Sequence, residues 1–246
     1  QLLELGLIAP VEAAVSTGGR PSSQIAFNPR ARVVIAADLG ALHARIALTD
    51  LDGRLLAELS ESRDIADGPD SAIEWILRSS QQLLAQTGIP VANVAGIGMG
   101  VPGPVEFSTG RPINPPIMPG WDRYDIPAAL RAEIDAPVFV DNDVNIMALG
   151  EQTSSWPGVT DIIFIKVASG IGAGVISGGR LQRGAHGAAG DIGHVALARA
   201  ADTPCPCGNR GCLEAVASGR ALAHALSTSG TALTRPREVV ALAKAG

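Results

Sequence analysis

A histidine and three cysteines form the motif whose chemistry is clearest. Cys205, Cys207 and Cys212 fall within eight residues of one another, and His194 precedes them. Three thiolates and one imidazole are a preferred tetrahedral ligand set for Zn²⁺, and four protein ligands leave no open position, so the zinc would be structural. An odd number of clustered cysteines favours a metal site in a reducing compartment over a disulfide framework. The alternative is three buried thiols unrelated to His194.

A second group of residues carries carboxylates that could contact a polar ligand. Asp143 lies in the segment Asp141-Asn142-Asp143-Val144-Asn145, at a predicted strand-to-helix junction where an aspartate is usually an N-cap. The functional alternative makes Asp143 a general base or hydroxyl acceptor in a cleft, with Asn142 orienting a polyol. Asp191 and Glu214 flank the metal motif; they either hydrogen-bond sugar hydroxyls beside His194 or support the metal site.

Two glycine turns could bring backbone amides close to a phosphate group. The first is Asp38-Leu39-Gly40-Ala41-Leu42-His43 and the second is Ala168-Ser169-Gly170-Ile171-Gly172. The phosphate-site candidates are therefore Asp38, Gly40, Ser169 and Gly170. Such turns are also ordinary hairpin connections, and in the first one Ala41 and Leu42 place side chains where an anion would need bare backbone.

The start of the chain reads as a ribbon with a basic tip. We predict the last turns of a helix over residues 1–8, ended by Gly6, and two short strands that flank the turn Gly18-Gly19-Arg20-Pro21. The pattern is typical of the wing of a winged helix, whose Arg20 could enter a DNA minor groove. The alternative is an ordinary surface hairpin.

The elements that must position these residues alternate between strands and helices. We predict strands at 33–37, 94–99, 138–140, 162–167 and 172–177 and helices at 71–88, 127–134 and 143–150, with Ser71 and Glu74 as a capping box for the first helix. A strand–turn–strand–turn–strand unit occurs twice, near 33–60 and near 162–184. The order of elements predicts an α/β class with two similar lobes and a cleft between them.

The composition of the chain argues against several classes of protein. The 246 residues are 46% hydrophobic and carry a net charge of −5, which argues against a surface that grips nucleic acid over its whole extent. Neither a membrane-length apolar run nor a secretion signal is found, so we expect a cytoplasmic protein. Only Lys166 and Lys244 are lysines among 19 basic residues, a bias that we interpret as genome composition.

Together these motifs resemble the ROK family of bacterial repressors and sugar kinases, which share an actin/hexokinase-like (ribonuclease H-like) fold. The resemblance rests on Gly100-Val101-Pro102-Gly103-Pro104, Asn142-Asp143-Val144-Asn145, residues 187–194 and residues 205–214. It implies a winged-helix remnant over 1–29, a first lobe over 32–142 and an incomplete second lobe with the zinc loop over 143–246. The DNA-recognition helix would precede residue 1 and further elements would follow residue 246, so we expect the chain to be an excised piece of a longer protein.

The resemblance also implies residue roles. Asp143 matches the catalytic aspartate of the family's kinases, and Asn142, Asp191, His194 and Glu214 match positions that contact sugar. Asp191 stands where the family usually has Glu, which shortens the reach by one methylene. The first glycine turn keeps Asp38 and Gly40 of the kinase pattern Asp-x-Gly-Gly-Thr but has Ala41 and Leu42 in place of its last two residues.

Three functions remain open on the sequence. A wing and an altered phosphate turn favour a sugar-responsive transcription regulator. Such a regulator would bind operator DNA and a sugar or amino-sugar effector, and the resemblance implies a homodimer or homotetramer. A hexose or N-acylhexosamine kinase is the alternative; there Asp143 would deprotonate the sugar and the two turns would hold Mg-ATP. The third is a degenerate sugar-binding scaffold.

Overall fold

The computed structural model describes residues 1–11, 24–228 and 236–244, and within them it confirms a mixed α/β architecture. The strands are β1 (Ile8–Val11), β2 (Gln24–Phe27), β3 (Val33–Leu39), β4 (Ala44–Asp50), β5 (Leu55–Glu61), β6 (Val94–Val101), β7 (Val105–Glu106), β8 (Arg111–Pro112), β9 (Val138–Asn142), β10 (Ile162–Val167), β11 (Ile171–Ser177) and β12 (Arg180–Gln182). The α-helices are α1 (Pro69–Thr87), α2 (Ile126–Arg131), α3 (Asp143–Ser154), α4 (Leu213–Ala217), α5 (Gly219–Thr228) and α6 (Pro236–Lys244).

A five-stranded sheet organises the first part of the chain. Its strand order is β5-β4-β3-β6-β9, with β3 antiparallel to β4 and parallel to β6, and β6 parallel to β9. Alternate side chains of β3 and β4 are buried, as expected for a sheet with one covered face. Helices α1 and α2 contribute to the same core, which includes the fully buried Trp121. The parallel strands direct the carboxyl ends of β3, β6 and β9 to one edge, where Asp38 and Asn142 lie.

The start of α1 differs from the sequence prediction. The capping box at Ser71 and Glu74 is wrong, because the helix begins two residues earlier at Pro69 and Gly68 occupies the N-cap position. Proline is favoured at the first helical position since its fixed φ suits the helix and its missing N–H needs no partner there. The Ser71 hydroxyl instead accepts a hydrogen bond of 2.6 Å from Arg63. Gly88 ends the helix in the left-handed region, as predicted.

A separate three-stranded antiparallel sheet, in the order β10-β11-β12, follows α3. Helix α3 covers one face of this sheet at very short range. A Cβ at Gly174 would lie 2.8 Å from the carbonyl oxygen of Val144, and one at Gly172 would lie 3.1 Å from the Val144 side chain. Glycines on β11 are therefore what allow the helix that begins at Asp143 to lie directly against the sheet.

The first residues form part of the predicted ribbon. β1 and β2 pair antiparallel, with Ile8 opposite Phe27. No regular helix forms over residues 1–8, but the turns before β1 keep the hydrogen bonds of a helix end. The N–H of Leu5 donates to the carbonyl of Gln1 and the N–H of Leu7 to that of Leu2, and Gly6 adopts the predicted left-handed conformation. The tip, including Arg20, lies outside the described residues. Among the helices that the structure describes, none is both long and apolar enough to cross a membrane.

Candidate functional site

The predicted metal ligands come together in space. One ligand atom from each of His194, Cys205, Cys207 and Cys212 lies within 4.8 Å of the others. His194 ends a short 3-10 turn, the three cysteines lie on the loop that leads into α4, and Cys212 is the residue just before that helix. Bridges between Ala196 and Cys212 and between Pro204 and Arg210 fold the loop back on itself.

The geometry of this cluster fits a tetrahedral zinc ion. The sulfur atoms of Cys207 and Cys212 are 3.7 Å apart, and Nδ1 of His194 lies 3.7 Å from the sulfur of Cys205. A tetrahedron with Zn–S bonds of about 2.3 Å has edges of about 3.8 Å between sulfurs. The three thiols form no disulfide. Burial raises the pKa of Cys205 and of Cys212, and a bound cation would favour their thiolate forms.

A second cluster forms around Asp143, which is buried at the start of α3. Its Oδ2 accepts a hydrogen bond of 2.6 Å from the ammonium of Lys166, and its Oδ1 accepts one of 2.8 Å from the backbone N–H of Val144. Burial raises the pKa of Asp143, and the Lys166 charge opposes that rise. Both carboxylate oxygens thus already have partners within the chain.

The N-cap of α3 is Asn142 and not Asp143. The Oδ1 atom of Asn142 accepts hydrogen bonds from the backbone N–H groups of Val144 and Asn145, at 2.9 and 3.3 Å. Its Nδ2 group donates to the carbonyl of Gly103 at 3.1 Å. Asn142 therefore joins the end of β9 to the loop after β6. The capping interpretation of Asp143 is wrong because the preceding residue performs that role.

The first glycine turn is covered by its own histidine. Nε2 of His43 lies 3.3 Å from Oδ2 of Asp38, and a Cβ added at Gly40 would overlap the His43 ring. The hydrogen bond to His43 lowers the pKa of Asp38, with a further contribution from the Lys166 charge. The His43 ring thus lies against Gly40, in addition to the Ala41 and Leu42 side chains that the sequence prediction named. Leu42 is exposed.

Glu214 connects the metal cluster with the second glycine turn. It lies in the first turn of α4 and is buried, and its Oε2 accepts a hydrogen bond of 3.3 Å from the backbone N–H of Ile171. Its Oε1 lies 3.8 Å from the sulfur of Cys205. A Cβ at Gly170 would lie 2.7 Å from Oε2, so only glycine permits this approach. Ser169, the other candidate in this turn, is half-buried.

Asp191 lies on the other side of the imidazole. Its Oδ1 is 3.8 Å from Nε2 of His194, while Nδ1 of the same ring faces the cysteines. The two ring nitrogens therefore face different groups, as expected for a metal-bound histidine with an acidic neighbour. Asp191 remains exposed, in contrast to Glu214.

Sequence reasoning missed three polar residues that the tertiary structure places at these clusters: His43, Lys166 and Arg183. Lys166 could have been noticed in the sequence, because it is the one charged residue among the apolar residues of β10. In the structure it lies on the half-buried face of that strand. Arg183 forms an ion pair with the buried Asp141, two residues before Asp143. Neither partner could be identified from spacing, since more than twenty residues separate each pair.

The sequence of this chain is similar to sequences of known proteins. The chain is 31% identical over 223 residues to the xylose repressor of Caldicellulosiruptor bescii, covering 90% of this chain and 55% of that protein. It thus spans little more than half the length of that relative.

Two solved structures share the fold. A ROK family transcriptional regulator, a homologue of the E. coli MLC protein, superposes with a TM-score of 0.75 at 26% identity, over 94% of this chain and 59% of that one. A ROK family glucokinase from Streptomyces griseus, solved with glucose and AMPPNP, gives a TM-score of 0.74 at 25% identity, over 87% and 72%. The fold is therefore of the actin/hexokinase type. The ROK family profile matches residues 34–246, and the chain belongs to the ROK family.

Proposed function

We propose that this chain is the effector-binding part of a sugar-responsive transcription regulator with a structural zinc ion. The observation that carries the proposal is the pairing of Asp143 with Lys166. Phosphoryl transfer to a sugar needs a base that can take the hydroxyl proton and a cradle for the nucleotide phosphates. Here Lys166 already donates a hydrogen bond to the candidate base, and the His43 ring lies against Gly40 of the first candidate cradle.

The same residues remain suited to binding a sugar. Asn142 and Asp143 at the start of α3, and Asp191, His194 and Glu214 around the metal cluster, offer acceptors and donors for hydroxyl groups. Zinc at His194, Cys205, Cys207 and Cys212 would fix the loop that carries these groups, as a structural metal does. A carboxylate that accepts a hydrogen bond from Lys166 can still accept one from a ligand hydroxyl, because each oxygen has two lone pairs.

The DNA-binding part of the proposal rests on the ribbon and on the relatives. The β1–β2 pair precedes the family region, and we assign residues 1–29 to a winged-helix remnant, 32–142 to a first lobe and 143–246 to a second. Arg20 would lie at the wing tip. A cytoplasmic homodimer or homotetramer would then bind operator DNA, and a sugar with different affinity for two lobe arrangements would shift DNA affinity, typically by about 1–3 kcal/mol.

Two experiments on the full-length protein test this function. A thermal-shift panel of pentoses, hexoses and N-acetylhexosamines should reveal at least one ligand that raises the melting temperature. A gel-shift assay on the gene's own promoter should show retardation that this ligand changes. Absence of retardation, or retardation that no ligand of the panel changes, would contradict the proposal.

A sugar kinase is the second candidate, favoured by the structural similarity to the Streptomyces griseus glucokinase. Asp143 would then accept the proton of the attacking hydroxyl, with Mg-ATP held at Asp38, Gly40, Ser169 and Gly170. A coupled assay for ADP release with the same sugar panel separates the two functions. Turnover that disappears in Asp143→Asn would establish the kinase; we expect no turnover above background.

A further inference from the structure

Arg183 connects the three-stranded sheet with the five-stranded sheet. It directly follows β12 of the three-stranded sheet, yet its guanidinium contacts Asp141, near the carboxyl end of β9 in the five-stranded sheet. Nε and Nη2 of Arg183 each lie 2.8 Å from Oδ2 of Asp141. Side-chain exposure is 27% for the arginine and 5% for the aspartate, so water screens this pair far less than a surface ion pair.

Two further contacts hold the members of this pair in place. The other oxygen of Asp141 accepts hydrogen bonds from the backbone N–H of Asn142 at 2.8 Å and from the side chain of Asn145 at 2.9 Å. The guanidinium of Arg183 lies 3.7 Å from the ring centroid of Phe107, in the turn between β7 and β8. The ring quadrupole attracts an arginine that stacks on an aromatic face. Both partners of Arg183 belong to the part of the chain before α3.

The loop over residues 183–191 packs between strands β7 and β11. At Gly187 a Cβ would overlap the carbonyl of Val105 on β7, and at Gly190 it would overlap the carbonyl of Ala173 on β11. The N–H of Ala173 also donates a hydrogen bond of 2.8 Å to the carbonyl of Gly190. Residues 183–191 therefore fill the space between β7 and β11, and they end at Asp191, a proposed sugar contact.

We propose that Arg183 is a positioning residue that holds loop 183–191 against the five-stranded sheet and so couples ligand binding at Asn142, Asp143 and Asp191 to the relative placement of the two sheets. The ligand part of this inference rests on the proposed sugar site. Separating the sheets would leave the buried carboxylate of Asp141 without its cation, which is costly. A ligand that contacts both Asn142 and Asp191 gains affinity when the loop is already in place, because less ordering accompanies binding.

The test compares Arg183→Met with Arg180→Met in the full-length protein. Arg180 is an exposed arginine on β12, three residues before Arg183, so its replacement removes the same charge and shape from a neighbouring position without touching Asp141. Hydrogen exchange should rise about tenfold in residues 184–191 and also in residues 105–112 and 141–145 of the other part in Arg183→Met only. Arg183→Lys should restore part of the protection, because it keeps the charge but loses the planar stack on Phe107.

Zinc content and sugar affinity complete the design. Zinc content should stay the same in both variants, since none of the four ligands is changed. Titration with the sugar found by thermal shift should give a Kd about tenfold higher in Arg183→Met, equivalent to about 1.4 kcal/mol. Exchange confined to residues 184–191, or an unchanged Kd, would overturn the positioning role. If the wild type binds no sugar but exchange rises across both parts, the proposed function fails while Arg183 still joins the sheets.

Discussion

The Nζ atom of Lys166 on β10 lies 2.6 Å from Oδ2 of Asp143 at the first position of α3. This contact joins the three-stranded sheet to the helix that covers it and places a cation beside a buried carboxylate. It also lies next to Asp38, whose pKa the Lys166 charge helps to lower. A strand lysine thus lies beside the two carboxylates that a sugar kinase would use with metal and nucleotide.

Removing this cation should destabilise the protein in a pH-dependent manner. Burial already raises the pKa of Asp143, and Lys166→Met should raise it further. A raised folded-state pKa stabilises the fold at low pH and costs stability as pH rises through it. We expect a loss of about 1–3 kcal/mol at pH 7, between the values for surface and buried pairs, and a smaller loss near pH 4.

Urea unfolding at both pH values measures this effect. Lys244→Met is the matched control, since Lys244 is the only other lysine of the chain and is exposed. The double variant Lys166→Met/Asp143→Asn should recover part of the loss. An equal loss at pH 4 and pH 7 would contradict the assignment.

The hydrogen bond between His43 and Asp38 should make the free energy of unfolding depend on pH in the acidic range. Because His43 holds the pKa of Asp38 below its ordinary value, the pair stabilises the fold above the unfolded pKa of about 3.8. That contribution is lost as pH falls through the lower folded pKa. NMR titration should show a higher pKa for Asp38 in His43→Ala, and an unchanged value would refute the role given to this histidine.

Metal analysis should find about one zinc per chain, held by His194 and the three cysteines. Cys207→Ser should lose most of the zinc and lower the melting temperature, because the metal links the loop to α4. His186→Ala, at an exposed histidine outside the cluster, should retain the zinc and the wild-type melting temperature. Wild-type protein purified without chelators and nearly free of zinc would refute the metal site.

Asn142 should have a structural role that is separable from any ligand contact. Asn142→Ala removes the N-cap of α3 and should cost about 1 kcal/mol. Asn142→Ser retains a capping oxygen, so it should recover most of that stability while lacking the amide that reaches Gly103. Chemical denaturation measures the first effect and sugar titration the second; equal stability losses in both variants would argue against the cap.

Two glycine-to-alanine substitutions should change the stability of the fold in opposite directions. A Cβ at Gly190 would overlap the carbonyl of Ala173, so Gly190→Ala should destabilise the protein by about 1–3 kcal/mol. At Gly150, on the exposed side of α3, a Cβ meets open space, and the change should stabilise the helix by up to about 1 kcal/mol. Thermal unfolding of the two variants provides the comparison. Similar melting temperatures would mean that loop 183–191 relaxes away from β11.

Most of the fold could be predicted because its signals are local. β10 was predicted with its observed limits, and α3 was predicted to begin within Asp141-Asn142-Asp143, since both depend on hydrophobic period and on short-range turn chemistry. The prediction made Asp143 the N-cap, one residue later than the observed cap at Asn142. The start of α1 was missed because Pro69 and Ser71 offer competing signals, and in the folded protein the Ser71 hydroxyl is hydrogen-bonded to Arg63, eight residues upstream.

The sequence by itself determined the family resemblance, the four residues of the His/Cys cluster and the order of the main strands and helices up to β12, since each of these depends on residue types at short spacing. Helices α4, α5 and α6 were not predicted from it. Only the tertiary structure decided which charges meet. Lys166 contacts Asp143 and Arg183 contacts Asp141 because glycines let α3 lie directly on β11, and because loop 183–191 fills the space next to β7. Those contacts join residues distant in sequence, and their energies depend on burial that no local pattern encodes.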